Sequence, residues 1–366
     1  MKGWACDVAK GHCTCSPVPE VCNGIDDDCD GIVDNNAASS DCNSQMVGAI
    51  CSDGSCWCPG YQNTCGNVCT DQASDPANCG GCGHACAANE ICTEYVCEKP
   101  SCKGALKCNG ESCCTTLPVP GGTFPMGRSL NGTDAYTFTP WAESAFQDEM
   151  PEHAASVSPY NLDRYKVTVG RMRNFVAAYD TWRASGHPKV GEGAHPGILG
   201  TGWESSWTLP QDAATLVGGL LCMVQDITSS NLVSLGTWTD SPSSQEDFPS
   251  ECVEWPTAFA FCLWDGGRLP TEAEWEFAAA GGDENRLFPW GGKDGTADTA
   301  PDTCPIEAVC NYTNVGSVPA GNGRFGQADL AGNAAEWVFD GFGTDWYSNG
   351  GTACNDCVDL MTAMVA

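Results

Sequence analysis

The chain has 366 residues, with 47 Asp and Glu against 16 Lys and Arg, and its formal net charge at pH 7 is −31. A negative charge of this size disfavours nucleic acid and anionic membrane surfaces as partners, and it favours a soluble protein that binds cations. No apolar run reaches the length of a transmembrane helix, and no apolar segment of a signal peptide follows Met1. The length allows two or more domains, one of them with a sizeable core.

The cysteines indicate an oxidising compartment. Of the 27 cysteines, 20 lie in residues 1–114 and seven in the rest of the chain. Such density in a segment with few large aliphatic side chains is typical of a disulfide scaffold. We therefore expect a secreted protein, located outside the cell, at its surface or in the periplasm, whose signal sequence is not visible in this N-terminus.

A short acidic stretch at 26–34 has the spacing of an EF-hand-like calcium loop. Carboxylates occupy loop positions 1, 3, 5 and 9, and Gly31 at position 6 permits the sharp turn of such a loop. Ala37 stands where the bidentate Glu of position 12 would be, which predicts a reduced affinity. The predicted metal ligands are Asp26, Asp28, Asp30 and Asp34.

Two alternatives concern the metal sites of this region. The acidic stretch is also consistent with a solvated turn held by Cys22 and Cys29. Further along, the spacing of three cysteines and a histidine resembles a zinc knuckle, although disulfides are favoured where cysteine is so abundant. These four residues are Cys79, Cys82, His84 and Cys86.

The composition becomes globular after Pro118 and Pro120. We predict a Cys- and Asp-rich metal-binding region at 1–60, disulfide modules at 61–114 and a larger domain at 117–366. Residues 123–127 predict a short strand, and 161–168 a strand that runs into a helix capped by Thr168. Residues 185–250 are rich in Gly, Ser and Pro and predict long ordered loops. A further helix is predicted at 257–264. The expected buried face of the helix after Thr168 consists of Met172, Phe175, Val176 and Tyr179.

The best-defined local signal is the run RLPTEAEWE at 268–276. Thr271 is a good N-cap, and Glu274 three residues later completes a capping box. Alanines at 278–280 propagate the helix, and Gly281 with Gly282 ends it.

This run and seven other blocks, in the same order, resemble the formylglycine-generating enzyme, or sulfatase-modifying factor, family. The resemblance covers about residues 117–350. It implies an α+β fold with much irregular structure, of the C-type-lectin-like kind, C-terminally incomplete in this chain and preceded by a small disulfide-rich region. The other blocks are GGTFPMG at 121–127, DEMPEH at 148–153, YKVTVGR at 165–171, CVEW at 252–255, AFCLW at 260–264, FPWG at 288–291 and GQADLAGNAAEW at 326–337.

The resemblance also implies an activity and a calcium site. Family enzymes convert a sulfatase cysteine to formylglycine with copper held by two cysteines in a C-terminal block, before which this chain stops, at Ala366. Ala335 also replaces the family's usual Trp. We therefore expect these 366 residues not to be catalytic, with copper relevant only if that block exists. The family's calcium ligands correspond to Asp329, the carbonyls of Gly332 and Ala334, and Glu336; the alternative is a turn hydrogen-bonded through Asn333 and Glu336.

The remaining cysteines bear on whether this chain is catalytic. The resemblance implies that Cys262 pairs with a cysteine of the C-terminal segment, which leaves it unpaired here; a buried free thiol is the alternative. For the CxxC of Cys354 and Cys357, a disulfide is favoured over a copper site. The other suggested pairs are Cys222 with Cys252 and Cys304 with Cys310. The sequence also resembles a CNGxDDDCDG motif associated with metal binding, and NCGxCGxxC modules, in secreted bacterial proteins.

Three functions remain open from the sequence. The first is a secreted bacterial protein with a non-catalytic domain of this family. The second is a sulfatase-modifying oxidoreductase in a longer product. The third is an extracellular binding or adhesion module with a protein or glycan ligand at the cell surface, and with neither nucleic acid nor a membrane span.

Overall fold

The computed structural model describes residues 4–7, 12–15, 17–128, 150–225, 232–234, 236–291, 312–343, 346 and 354–360. The chain forms two compact units, Met1–Glu98 and Lys99–Ala366. The segment 99–115 therefore belongs to the second unit. No helix within the described ranges is long and apolar enough to cross a membrane.

The first unit consists of small antiparallel hairpins and one helix. The strands pair in chain order, β1 with β2, β3 with β4, β5 with β6 and β7 with β8. The elements are β1 (Trp4–Asp7), β2 (His12–Cys15), α1 (Asn36–Gln45), β3 (Ile50–Ser52), β4 (Ser55–Trp57), β5 (Asn63–Cys65), β6 (Val68–Thr70), β7 (Ile91–Thr93) and β8 (Val96–Glu98).

Disulfides connect these hairpins, as the cysteine content predicts. Each bond links positions 11 to 29 residues apart, and Cys29 is disulfide-bonded as well. Because hairpins this short are marginally stable by themselves, the covalent links hold the unit together. The pairs are Cys22–Cys51, Cys42–Cys56, Cys58–Cys69, Cys65–Cys82, Cys79–Cys92 and Cys86–Cys97.

The second unit is a mixed α and β structure with small sheets and long irregular segments, which confirms the predicted fold class. Strand β11 pairs with β14, and a three-stranded sheet has the order β12-β13-β17, in which β13 and β17 are parallel. The elements are β9 (Lys107–Cys108), β10 (Glu111–Ser112), β11 (Thr116–Val119), β12 (Gly122–Met126), β13 (His153–Val157), β14 (Tyr160–Asp163), α2 (Val169–Ala184), α3 (Ala213–Leu220), β15 (Met223–Gln225), β16 (Leu232–Ser234), α4 (Trp255–Trp264), α5 (Glu272–Ala279) and β17 (Cys354–Asn355), with 3-10 helices at Pro100–Cys102, Gly282–Glu284 and Pro319–Gly321.

The main core of this unit is aromatic and lies between α2 and α4. Phe259 is fully buried, and its ring lies 5.4 to 5.8 Å from the rings of four other aromatic residues. A second cluster joins α5 to the β12-β13 sheet, where Phe124 meets Phe277 edge-on at 5.2 Å. The neighbours of Phe259 are Trp203, Trp207, Trp255 and Phe339.

The predicted helices after Thr168 and Thr271 are confirmed. The Thr168 side chain accepts a hydrogen bond from the Arg171 amide. Thr271 and Glu274 form both hydrogen bonds of the capping box. Gly281 follows the end of α5 with a φ of 67°, a left-handed conformation that favours glycine. The predicted apolar face of α2 also packs inward, with Met172, Phe175 and Tyr179 buried and Val176 partly buried.

The prediction that residues 185–250 form only loops is wrong in part. Helix α3 lies within this segment and begins at Asp212, whose side chain accepts a hydrogen bond from the Thr215 amide. Leu216 and Leu220, one helical turn apart, are buried. The many glycines and serines around it mask this short amphipathic signal. The hairpin of β15 and β16 follows.

Candidate functional site

One open cavity of the second unit is a groove of about 710 Å³. It is bordered by β14 and the segment that follows it, by the end of α4, by the loop that enters α5, and by residues 327–337. Because the last of these contains the AGNAAEW block and the loop carries RLPT, the two sequence signals converge on one site. We call this cavity the groove.

A buried arginine lines the groove. The Arg171 guanidinium is 1% exposed and contacts Asp163 and Asp265, each at 2.8 Å. Burial alone would lower the pKa of Arg171, but the two carboxylates outweigh it and raise that pKa. Arg171 also donates to the Ser101 hydroxyl at 2.9 Å. Such a network is costly to break once it is formed, and it holds β14, α2 and α4 in register.

Other charged residues that line the groove are also paired. Lys166 Nζ lies 2.8 Å from Glu336 Oε2, which accepts a second hydrogen bond from Trp275 Nε1 at 3.0 Å. Arg268 forms two bonds of 2.6 Å with the carboxylate of Glu274. These pairs leave little unbalanced charge for recognition of a ligand.

Gln327 is a neutral polar residue of the groove without hydrogen-bond partners; the buried Arg164 Nε also lacks one, although Arg164 is ion-paired with Glu111. The Gln327 side chain is 1% exposed and lines the groove, yet neither its amide nitrogen nor its amide oxygen has a hydrogen-bond partner. A buried amide in this state costs on the order of 1–3 kcal/mol for each unpaired group. Nothing in the sequence marks Gln327 in advance, because the site depends on how the 326–337 turn packs.

Cys262 also lines the groove and is a free cysteine, as predicted. Burial, together with the negative charges of Asp163 and Asp265, raises the pKa of the thiol to about 12. Cys262 is therefore a neutral thiol at physiological pH, and the thiolate is the form that binds metals and attacks electrophiles.

The residues of the predicted calcium turn lie beside the groove. Asp329 is 2% exposed, and its Oδ2 accepts from the Gly316 amide at 2.8 Å and from Asn333 Nδ2 at 3.3 Å. Asp329 Oδ1 has no hydrogen-bond partner and is thus open to a cation. Ala334 and Gly332 are joined by a backbone hydrogen bond of 2.7 Å from the Ala334 amide. Glu336 Oε2, in contrast, is neutralised by Lys166, so calcium at this turn stays a prediction.

A second cavity of about 420 Å³ lies near the start of α5. Asp340, in its lining, accepts hydrogen bonds from the Glu272 amide at 2.7 Å and from the Asp359 amide at 2.8 Å. Burial raises the pKa of Asp340 to about 6, although these hydrogen bonds act in the opposite direction. The carboxylate thus connects the helix N-terminus to the segment after β17 and serves the fold.

In the first unit, the structure brings together some of the predicted metal ligands and not others. Asp26 and Asp28 lie with Glu20, and the three carboxylates have oxygens within 4.8 Å of one another. Asp34 instead accepts from the backbone amides of Asn23 and Gly24. Asp30 accepts from the Ile32 amide and from Asn35 Nδ2. Glu20 lies outside the loop spacing, which is why the motif alone does not identify it.

Where the sequence left a metal site and a disulfide as alternatives, the structure has disulfides. Cys79, Cys82 and Cys86 are each bonded to another cysteine, so the sulfurs of a zinc knuckle are not free. Cys354 and Cys357 form the predicted disulfide, as do Cys222 and Cys252. Cys304 and Cys310 lie outside the described residues.

These observations define an α+β protein with one open, charge-balanced groove and a separate disulfide-held unit. Residues 104–361 match the model of the sulfatase-modifying factor enzyme 1-like domain. The chain belongs to this family.

Its relatives include proteins with and without the family's activity in their names. A formylglycine-generating enzyme of Thermomonospora curvata is 30% identical over 249 residues, which cover 63% of this chain and 73% of that protein. A formylglycine-generating enzyme of Mycobacterium tuberculosis is 28% identical, over 68% of this chain and 81% of its own length. The bovine inactive Cα-formylglycine-generating enzyme 2 is 39% identical over a shorter region, 25% of this chain and 33% of that protein. Family membership alone therefore does not establish the chemistry.

Proposed function

We propose that this chain is an exported member of the sulfatase-modifying factor family that binds an extended polypeptide segment in the groove without oxidising it. The observation that carries the proposal is the Gln327 amide, which is buried and unpartnered in a groove whose charges are otherwise paired. The first-unit disulfides support export, since such bonds persist in oxidising compartments.

The groove suits a peptide backbone better than a charged small molecule. Its arginines and Lys166 are engaged by carboxylates, so a charged ligand would have to displace an existing ion pair. The amide of Gln327 offers one acceptor and two donor hydrogens, a combination that complements the N–H and C=O groups of a peptide unit. A volume of about 710 Å³ is within the usual size of ligand sites.

The thiols support binding without oxidation. Copper in this family's chemistry is a soft ion that takes thiolate ligands. Among the described residues, Cys354 and Cys357 are consumed by their disulfide, and Cys262 is a neutral thiol without a second free cysteine. The described part of the chain thus offers no pair of thiolates, which supports binding of a sulfatase-like peptide without its oxidation.

The proposal is tested with the 366-residue protein and a fluorescein-labelled CxPxR peptide. We expect the peptide to bind by fluorescence anisotropy and to keep its cysteine when incubated with copper(I) and oxygen, as read by mass spectrometry. Formylglycine in the peptide would overturn the non-catalytic part. Arrays of extended peptides and of glycans form the second arm, and exclusive binding to glycans would overturn the choice of ligand.

The residue-level test is Gln327→Leu. We expect peptide affinity to fall by about tenfold, which corresponds to about 1.4 kcal/mol. Stability should stay the same or rise, because the substitution removes two buried unpaired groups. The matched control is Gln245→Leu, the same change at a position that does not line the groove. Equal peptide affinity in both variants would place the ligand elsewhere.

A further inference from the structure

The acidic stretch of the first unit contains a carboxylate cluster that differs from its sequence motif. Glu20, which precedes the motif, is only 4% exposed. Its Oε1 accepts hydrogen bonds from the amides of Asp27 at 2.6 Å and Asp28 at 2.9 Å. Glu20 is therefore held in place across the start of the loop, with its other oxygen directed away from these amides.

Two oxygens of this cluster are buried and unpartnered. Glu20 Oε2 and Asp26 Oδ1 have no hydrogen-bond partner, while the remaining oxygen of Asp26 accepts from the Gly31 amide at 3.0 Å. Asp28 is held through both oxygens, since its Oδ1 accepts from the Asp30 amide at 3.1 Å and its Oδ2 accepts from Asn35 Nδ2 at 3.2 Å. Oxygens of all three carboxylates lie within 4.8 Å of one another. Buried like charges at such distances repel strongly unless something positive lies among them.

The chain itself supplies no positive side chain nearby in sequence. Residues 17–98 contain neither Lys nor Arg, although they contain 13 Asp and Glu. The first unit thus cannot balance this cluster with an ion pair from its own described residues. In the second unit, by comparison, Arg171 and Lys166 balance buried carboxylates. A cation from solution would supply the positive charge that residues 17–98 do not.

We propose that Glu20, Asp26 and Asp28 bind a calcium ion. All donors are hard carboxylate oxygens, the ligand type that Ca²⁺ prefers, and water or backbone carbonyls complete its six to eight ligands. Asp30 and Asp34 are not ligands in this proposal, because they are not among the carboxylates whose oxygens lie within 4.8 Å of one another. The ion would connect the segment before Cys22, whose disulfide reaches Cys51, to the loop after it. This proposal does not depend on the function of the groove.

The test is calcium titration of the full chain after dialysis against EDTA, by isothermal calorimetry, with the metal alone as the probe. Glu20→Gln keeps an oxygen that can accept from the Asp27 and Asp28 amides and removes the charge. We expect it to weaken calcium binding by at least about tenfold. Asp34→Asn, the motif residue placed outside the cluster, should change the affinity by less than about threefold. Asp41→Asn is a matched control outside the stretch.

Three results would overturn the proposal. One is the absence of calcium binding at millimolar concentration in the unchanged protein. Another is a loss of binding in Asp34→Asn with normal binding in Glu20→Gln, which would restore the motif's ligand set. A third is equal binding in all variants. Disulfide mapping of Cys22–Cys51 by mass spectrometry verifies that each variant has folded.

Discussion

The two units use their apolar side chains in opposite ways. In the first unit, large side chains such as Trp57, Tyr61 and Val96 are 60 to 91% exposed, and the described buried apolar residues are alanines and cysteines. In the second unit, the aromatic residues fill a continuous cluster around Phe259. One unit therefore depends on covalent links, and the other on the burial of apolar surface.

The difference shows where stability comes from when a core is missing. A disulfide acts mainly by limiting the unfolded chain and typically contributes about 2–4 kcal/mol. Burial of one large side chain contributes about 1.5–3 kcal/mol. The first unit thus has to gain its stability in a few discrete bonds and, as we propose, a bound ion. The second unit gains it from many contacts.

Reduction is expected to have the largest effect. A strong thiol reductant should unfold the first unit while α2, α4 and α5 keep most of their amide protection, since Cys102–Cys114 and the other disulfides of the second unit supplement an existing core. Hydrogen exchange with peptide-level mass spectrometry on the whole chain measures both units at once. Equal loss of protection in both units would contradict the conclusion that only the first unit depends on its disulfides.

A core truncation should act on the second unit alone. We expect Phe259→Ala to lower its free energy of unfolding by about 3–5 kcal/mol, because the ring is fully buried among four aromatic neighbours. Leu199→Ala, at a side chain that is 94% exposed, should change it by less than about 0.5 kcal/mol. Denaturant unfolding followed by tryptophan fluorescence measures both. The calcium affinity of the first unit should not change.

The smallest expected effect is a pH dependence of the second unit. The pKa of Asp340 is raised from 3.8 to about 6 by burial, so the folded state binds its proton more tightly than the unfolded state. The protonated Asp340 therefore adds to the free energy of unfolding. This stabilisation is complete below pH 4 and is lost as the pH rises through 6, at a cost on the order of 2 kcal/mol.

Asp340→Asn should remove this dependence of stability on pH. It should also remove one of the two hydrogen bonds that the carboxylate accepts. The quantity to compare is the difference in unfolding free energy between the two proteins from pH 4 to 7. Carboxylates with lowered pKa values, such as Asp212, make both proteins more stable as the pH rises, so their effect cancels in this difference. A difference that does not vary with pH would refute the assignment.

Several elements follow from local sequence because local bonds define them. The capping box of Thr271 and Glu274 and the N-cap of Thr168 both involve residues three positions apart, and both are present. The cysteine density of residues 1–114 likewise predicts disulfides, and the separately suggested pair Cys222–Cys252 is also formed. Helix α3 was missed because Asp212 and two leucines give a weak signal among glycines and serines.

The sequence by itself determined the disulfide character of the first unit, through residue counts, and the family, through motifs in a fixed order. The fold class and the unpaired Cys262 were implied by that resemblance. Only the tertiary structure decided which polar groups remain without partners. Gln327 and Glu20 are ordinary residues in the sequence, and each becomes a site candidate because the folded chain buries it and leaves hydrogen-bonding atoms unpaired. That property depends on packing in three dimensions, which no local pattern encodes.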